Sequence, residues 1–303
     1  MLSVLFGVGA ALGFGSSDFL GGLAARQIGA IRTVWITALT ALTALYFGSF
    51  IFNGTASPES WLFGGLSGVA GVLALVCLYA SLAIGPMSIL SPIGAVVGAI
   101  VPTVWDIVIG ESLQWYSYVA IVLALIAVAI VGFTPGEHVR RPSAKGLALS
   151  LFAGFLFGVY YIFLDLAPDD AGLWPLIANR SASAAIITVA VVGATLIRLA
   201  RRRSRAPQLP HESSELAAGD AGIIHWRVGL QFALITGLME AVSTGLYLYG
   251  IVSGSLTVVS VVTSLYPAST IILATIVLNE RLGKLQYVGL GLAVVAAIGL
   301  ALA

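Results

Sequence analysis

Glu240 sits near the middle of an apolar run over 226–251, far from either end, where few side chains can carry a charge. A charge at the centre of a bilayer costs about 2.5–3.5 kcal/mol on insertion scales, so such a residue needs a partner, a water-filled cavity or a proton. A carboxyl there that alternates between protonated and ionised forms is what a proton-coupled carrier requires. A structural carboxyl held by Ser or Thr of a neighbouring helix is the competing reading. Asp18 follows Ser16 and Ser17, about two turns from the end of the first apolar run. It could hold a proton or a substrate, or reach Arg26 across those two turns. Arg180 lies about a turn and a half inside the run over 175–198. Its planar fork suits a substrate carboxylate or phosphate, and Asp165, Asp169 and Asp170 are the structural partners expected on the same side. Asp106 stands near the end of the fourth run, one turn before Glu111, where interfacial solvation also accounts for it.

Other residue types narrow the chemistry. Tyr79 and Trp35, with Tyr160, Tyr161, Tyr247 and Tyr249, could line a cavity that stacks on organic molecules, or pack and anchor as aromatics in membranes commonly do. Pro92, Pro102 and Pro267 each remove a backbone donor inside an apolar run, which fits kinks that gate or kinks that only pack. His138, His211 and His225 all fall in loops, and no HExxH, GxGD or GxSG motif is present, so an enzyme is not expected. A single cysteine, Cys77, leaves no disulfide framework, and neither a metal site nor a cofactor is expected.

The elements that must position these residues follow from composition. Only 9% of the 303 residues are charged and 59% are hydrophobic, with a mean hydropathy of +1.04. So few charges cannot cover a soluble surface. A net charge of +1 argues against nucleic acid as a partner. About 20 apolar residues cross a bilayer as a helix, and ten such stretches are present: 2–24, 32–52, 61–84, 88–109, 115–133, 145–165, 175–198, 226–251, 257–278 and 285–302. Most loops are very short, so neighbouring helices are antiparallel. The stretch 199–225, with RRRSR, Pro207 and Pro210, reads as a disordered polar linker. Of the 14 Lys and Arg residues, 13 fall in odd-numbered loops and their helix ends. The excess of positive charge on cytoplasmic loops then puts the odd loops in the cytoplasm and both termini outside. The expected location is the inner, cytoplasmic membrane.

The two halves resemble each other. A shift of 169 carries Gly85, Ser91, Glu111, Leu113, Tyr118 and Val119 onto Gly254, Ser260, Glu280, Leu282, Tyr287 and Val288. Near the start of each half the shift is 143, carrying Ala11, Phe14, Gly15 and Gly29 onto Gly154, Phe157, Gly158 and Gly172. The difference is close to the length of the linker. Residues 1–135 and 143–303 are therefore two copies of one five-helix unit. Five is odd, so consecutive copies enter the membrane in opposite orientations. The expected fold is an all-α membrane protein of ten transmembrane helices in two inverted five-helix repeats, an arrangement found in secondary transporters.

The segment from Tyr79 through Gly85-Pro-Met-Ser to Ser91-Pro92, then Pro102 and Gly110-Glu111-Ser-Leu, resembles the EamA repeat of the drug/metabolite transporter superfamily. The second copy carries Tyr249, Ser253-Gly-Ser-Leu-Thr, Pro267 and Glu280-Arg-Leu. The resemblance implies a ten-helix basket around a central cavity lined by helices one, three, four, six, eight and nine. It also implies carriage of small metabolites or drugs, commonly export. Arg180 occupies a place where the family often has an arginine, whereas the first copy has Thr37.

The expected function is thus a secondary carrier that moves a small organic solute by alternating access, coupled to protons and working as an exporter. An uncoupled facilitative uptake carrier and a non-transporting membrane subunit are the alternatives. The expected partners are the lipid bilayer, a small-molecule substrate and protons, with the chain a monomer or homodimer. Charge placement makes orientation testable: a reporter inserted at 85–87 is expected to read as cytoplasmic and one fused at the C-terminus as external. The reverse pattern would overturn the orientation.

Overall fold

In hydrocarbon a backbone N–H or C=O finds no water, so each spanning segment must pair its own polar groups. The unbroken apolar runs obey this as helices. The computed structural model describes residues 2–50, 54–110, 115–133, 142–203, 212–252, 259, 262–263, 266–280 and 283–301. Among them are ten α-helices: α1 (Leu2–Ile28), α2 (Ala30–Gly48), α3 (Pro58–Ile84), α4 (Met87–Val108), α5 (Trp115–Phe133), α6 (Ala144–Asp165), α7 (Trp174–Arg203), α8 (Glu212–Val252), α9 (Tyr266–Val277) and α10 (Lys284–Ala301). A short 3-10 turn, Asp169–Ala171, precedes α7. Six of the helices are long and apolar enough to cross a membrane by length and composition. Every stretch expected from hydropathy contains a helix, although part of 257–265 lies outside the described residues.

One expectation needs correction. The polar stretch 199–225 is not linker throughout: α7 continues to Arg203, and α8 begins at Glu212. Glu, Leu and Ala, all strong helix formers, dominate Glu212–Ala218, and local propensity there outweighs the low hydrophobicity that suggested disorder. Residues 204–211 lie outside the described residues.

The helices pair across the repeats. α1 packs on α8 as α6 packs on α3, α2 on α8 as α7 on α3, and α1 on α9 as α6 on α4, while α5 and α10 pack on each other. Each of these pairs is the repeat-mate of another, or of itself. The two ends of the bundle can be told apart by contacts. Arg26, in the last turn of α1, bonds to the Gly85 carbonyl between α3 and α4, and Arg32 lies over the Trp226 ring at 5.6 Å. At the other end Thr55 bonds to Asp170 at 2.8 Å and Trp174 Nε1 donates to the Gly54 carbonyl at 3.2 Å. Backbone geometry reproduces the repeat. The described residues with positive φ are Gly29 (85°), Gly110 (90°), Gly172 (57°) and Asn279 (52°). Shifts of 143 and 169 join them into two pairs, and Gly29 and Gly172 stand at opposite ends. The copies are inverted, as five crossings demand.

Small residues bring the helices close enough for this interlocking. A methyl group at Gly64 would overlap the Pro175 carbonyl, and one at Gly68 would overlap Asn179. At Gly237, the repeat-mate of Gly68, the obstacle is the Thr37 carbonyl at 2.7 Å. The glycine row of α1 is shared between two partners: Gly9 and Gly13 face Leu246 and Ser243 of α8, whereas Gly21 receives the ring of Tyr79. Hydroxyls then bond across the seams, Thr270 to the Gly15 carbonyl at 2.9 Å and Ser150 to the Leu90 carbonyl at 2.6 Å. Such bonds contribute on average about 0.6 kcal/mol each in a membrane.

Two adjacent glycines of α3 separate packing from propensity. Gly64→Ala is expected to lower the unfolding temperature of detergent-purified protein, since overpacking costs about 1–3 kcal/mol. Nothing lies within 4 Å of a methyl at Gly65, so Gly65→Ala is expected to leave that temperature unchanged or raise it. Equal losses at both positions would refute this account of the α3–α7 seam.

Candidate functional site

The packing of α1 against α8 sets Asp18 and Glu240 within electrostatic reach of each other, one from each repeat. Asp18 arises from the same α1 segment as Gly21, whose lack of a side chain admits the Tyr79 ring of α3. Ser91 of α4 is the polar neighbour of Asp18, although no contact at its buried hydroxyl forms a well-shaped hydrogen bond. Tyr79 in turn interacts with Glu240, Asp18 and Arg180. Tyr160 and Tyr161 of α6 meet edge to face with ring centroids 4.9 Å apart. Tyr161 is within electrostatic reach of Tyr247, Asp18 and Glu240, and Tyr266 of α9 within reach of Asp18 and Tyr161. Side chains from α1, α3, α4, α6, α7, α8 and α9 therefore converge on one place between the repeats. Six of these are the helices that the family resemblance implied, and α7 adds the arginine.

Arg180 and Glu240 form the ion pair at the centre, Nη2 donating to Oε1. The two helices that carry them both pack against α2. The two side chains are only 11% and 13% exposed. The expected pairing of Arg180 with Asp165, Asp169 or Asp170 is thus wrong. Those acids lie at or beyond the end of α6, whereas Arg180 is a turn and a half inside α7 and meets a carboxylate at its own depth. Glu240 Oε2, on the far side of the carboxylate, is buried with no hydrogen-bond partner. The pairing of Asp18 with Arg26 is not formed either. Arg26 instead spends its donors on the carbonyls of Leu82 and Gly85, which lie nearer the end of α1.

The chemistry of the cluster follows from its inventory. The cluster holds two carboxyl groups and one guanidinium, the latter paired with Glu240, so with both carboxyls ionised the site carries one negative charge in excess. Five tyrosines supply flat, amphipathic surface and hydroxyls around it. Tyr161 keeps 49% of its surface exposed.

The other residues singled out in the sequence are placed elsewhere. Trp35 donates from Nε1 to Thr188 Oγ1 at 2.9 Å, tying α2 to α7 two turns along from Arg180. Asp106 is on α4, but its side chain lies outside the described residues, as does Glu111. Pro92 and Pro102 lie within α4, which is continuous through both, and Pro267 is buried in α9. Among the described residues no group of three or more His, Cys, Asp or Glu could hold a metal ion. Sequence reasoning missed Ser91 as a partner of Asp18, and Tyr266 altogether. Ser91 was visible only as a repeating serine. A comparison of the two copies would have marked the site: Asp18, Arg180 and Glu240 correspond to Tyr161, Thr37 and Gly71. The charged groups are what the duplication does not share.

No curated protein matches the chain. A solved structure described only as the crystal structure of a protein is similar over 98% of this chain and 97% of its own, at 14% identity and a TM-score of 0.46. The EamA-like transporter family model matches residues 1–133 and 144–302, almost the whole chain in two copies. The chain belongs to the EamA-like transporter family, as a multi-pass membrane transporter and not an enzyme.

Proposed function

We propose that this transporter is a proton-coupled secondary carrier that exports a small organic solute by alternating access, with Asp18 as its proton-carrying group. The observation that supports this reading is the pair of carboxyls, Asp18 and Glu240, within electrostatic reach of each other, with Arg180 paired to Glu240, at the junction of the repeats. An isolated charge in a poorly solvated interior costs several kcal/mol. One proton removes the excess charge, and so does one positively charged group on a substrate. The two ligands therefore compete for a single negative charge, and competition of this kind couples their movements in opposite directions. Glu240 has Arg180 as a permanent counter-ion. Among the described residues Asp18 has no cationic partner, only a serine hydroxyl and tyrosines near it, which supports Asp18 as the carrier of the exchangeable charge. In this reading the tyrosines hold the organic body of the substrate, and Trp35 keeps α2 and α7 together beside it. Pro92, Pro102 and Pro267 mark where α4 and α9 bend between states, with Asp106 near the outer mouth. Orientation with odd loops in the cytoplasm and a monomeric or homodimeric state complete the proposal.

Two measurements address the site. A panel of metabolites and drugs is first screened for ligands that raise the unfolding temperature of the purified protein, and the hits are carried into liposomes. Wild-type accumulation of such a ligand is expected to rise with an imposed pH gradient. Asp18→Asn is expected to lose that gradient dependence while still exchanging labelled for unlabelled ligand. Gradient-driven accumulation in Asp18→Asn would remove this residue from coupling, and gradient-independent flux in the wild type would favour the uncoupled carrier.

The ion pair makes a different demand. Removing one partner of a buried pair leaves an uncompensated charge and costs about 3–5 kcal/mol, whereas replacing both with apolar groups is often close to neutral. Arg180→Met and Glu240→Leu are each expected to destabilise the purified protein, and the double variant to recover most of the loss. Additive losses would mean that the two groups do not depend on each other.

A further inference from the structure

A second cluster of polar groups joins the repeats, and the transport site does not use it. At the end of α1, Arg26 donates from Nε and Nη2 to the Leu82 carbonyl at 3.3 and 3.2 Å, and from Nη2 to the Gly85 carbonyl at 3.0 Å. Those carbonyls belong to the last turn and C-cap of α3. Beyond α9, Glu280 reaches the first turn of α4. Its Oε1 accepts from the Met87 N–H at 3.1 Å, and its Oε2 accepts from the Ser88 N–H at 3.0 Å and the Ser88 hydroxyl at 2.6 Å. Arg26 Nη2 lies 3.9 Å from Glu280 Oε1, and the Glu280 side chain is only 3% exposed.

The signs along this chain of groups alternate. The carbonyl end of α3 is negative, Arg26 positive, Glu280 negative and the N–H end of α4 positive. α4 cannot cap itself, because Pro86 occupies its N-cap and makes no side-chain bond there. Its cap comes from the other repeat. Asn279, in the left-handed region at φ 52°, turns the chain directly before Glu280. All the other members of the cluster belong to the first copy, so any displacement of one repeat against the other at this end must part Glu280 from α4.

The surroundings divide along the same line. From Met87 to Gly94 every residue of α4 is buried, whereas Val104, Trp105 and Val108 near its far end are exposed. Ala274 of α9 packs in one core with Tyr79, Leu82, Met87 and Leu90. The bundle is shut where Glu280 caps α4.

We propose that Glu280, Ser88 and Arg26 form the latch of a gate at the Arg26 end of the bundle: closed, it seals Asp18 and Glu240 from that face, and its parting opens them to it. The proposal rests on the alternating-access reading above. Closed, the latch is a satisfied charge–dipole network. Opened, its carboxylate, guanidinium and backbone groups meet water, which satisfies them again. Two arrangements of similar energy are what a gate needs.

Accessibility tests this with neither substrate nor proton gradient. In a Cys77→Ser background, Ser91→Cys places a thiol in the site, and a membrane-impermeant maleimide is applied to intact cells or to inverted membrane vesicles. The thiol is expected to label slowly from the Arg26 face. Glu280→Gln, which removes the charge, is expected to speed labelling from that face by about tenfold or more and to slow it from the other. Arg26→Ala is expected to act in the same direction more weakly, and Arg26→Lys to restore part of the seal. Unchanged labelling in a monodisperse Glu280→Gln protein would overturn the proposal. So would faster labelling from both faces, which would make Glu280 a structural cap alone. If Glu280→Gln does not fold, Ser88→Ala, which removes one bond, carries the same test. Loss of proton coupling in the liposome assay leaves this readout untouched, so the two readings can fail separately.

Discussion

Neither Arg180 nor Glu240 could occupy its place alone. Both side chains are almost wholly enclosed, and an unpaired charge in such a setting would draw in water or expel the helix that carries it. The pair fixes much of the local architecture. α7 and α8 each pack on α2, and the contact between their charged side chains ties the depth of one helix to that of the other. Asp18, Tyr79 and the α6 tyrosines are arranged around that contact. Glu240 keeps one oxygen without a hydrogen bond, so the pair neutralises charge without exhausting the polar capacity of the site.

Against this stands a scaffold that treats its halves alike. The helix pairings, the left-handed turn residues and the glycine contacts recur with the register of the duplication. Packing of this kind depends on small side chains, whose demands survive inversion because a close approach is the same from either side. Charge is different. Two copies of an arginine–glutamate pair would double the buried charge and bring like groups together near the pseudo-symmetry axis. The chain holds one pair, with Thr37 and Gly71 in the corresponding places. Thr37 is wholly buried, its hydroxyl returned to the Val34 carbonyl, and Gly71 leaves room for the ring of Tyr160.

Much of this could be read in the sequence, and the reason differs with the feature. Helix positions were legible because hydropathy acts locally: α5 spans the expected 115–133, and the boundaries of α4 and α6 fall within one residue. The repeat was legible because it is a comparison of the chain with itself. Partners were not. Arg180 and Glu240 are separated by 60 residues, and no local rule prefers Glu240 over the three acids nearer in sequence. Depth in the membrane decides it, and depth emerges only when the helices are packed. Glu280 shows the same limit. Its recurrence in both copies marks it in the sequence, but the helix whose first turn it caps belongs to the other copy. The polar stretch 199–225 misled for the opposite reason, since composition there concealed a good local helix former.

Symmetry and its breach have separate consequences for how such a molecule can work. A duplicated, inverted scaffold has two related arrangements of its halves, and nothing in the packing of glycines and hydroxyls favours one strongly. The charged residues lie close to where the halves meet, so an exchange of arrangements need not move them far. In the alternating-access reading proposed above, it changes which face they can be reached from. Arg26 adds a bias to this balance. Its repeat-mate is Asp169, so the arginine that stands beside Glu280 at one end has an acid as its counterpart at the other. A cation beside a buried carboxylate stabilises closure, whereas an acid offers no such help. In the gate proposed above, the arrangement shut at the Arg26 end is thus the better satisfied of the two.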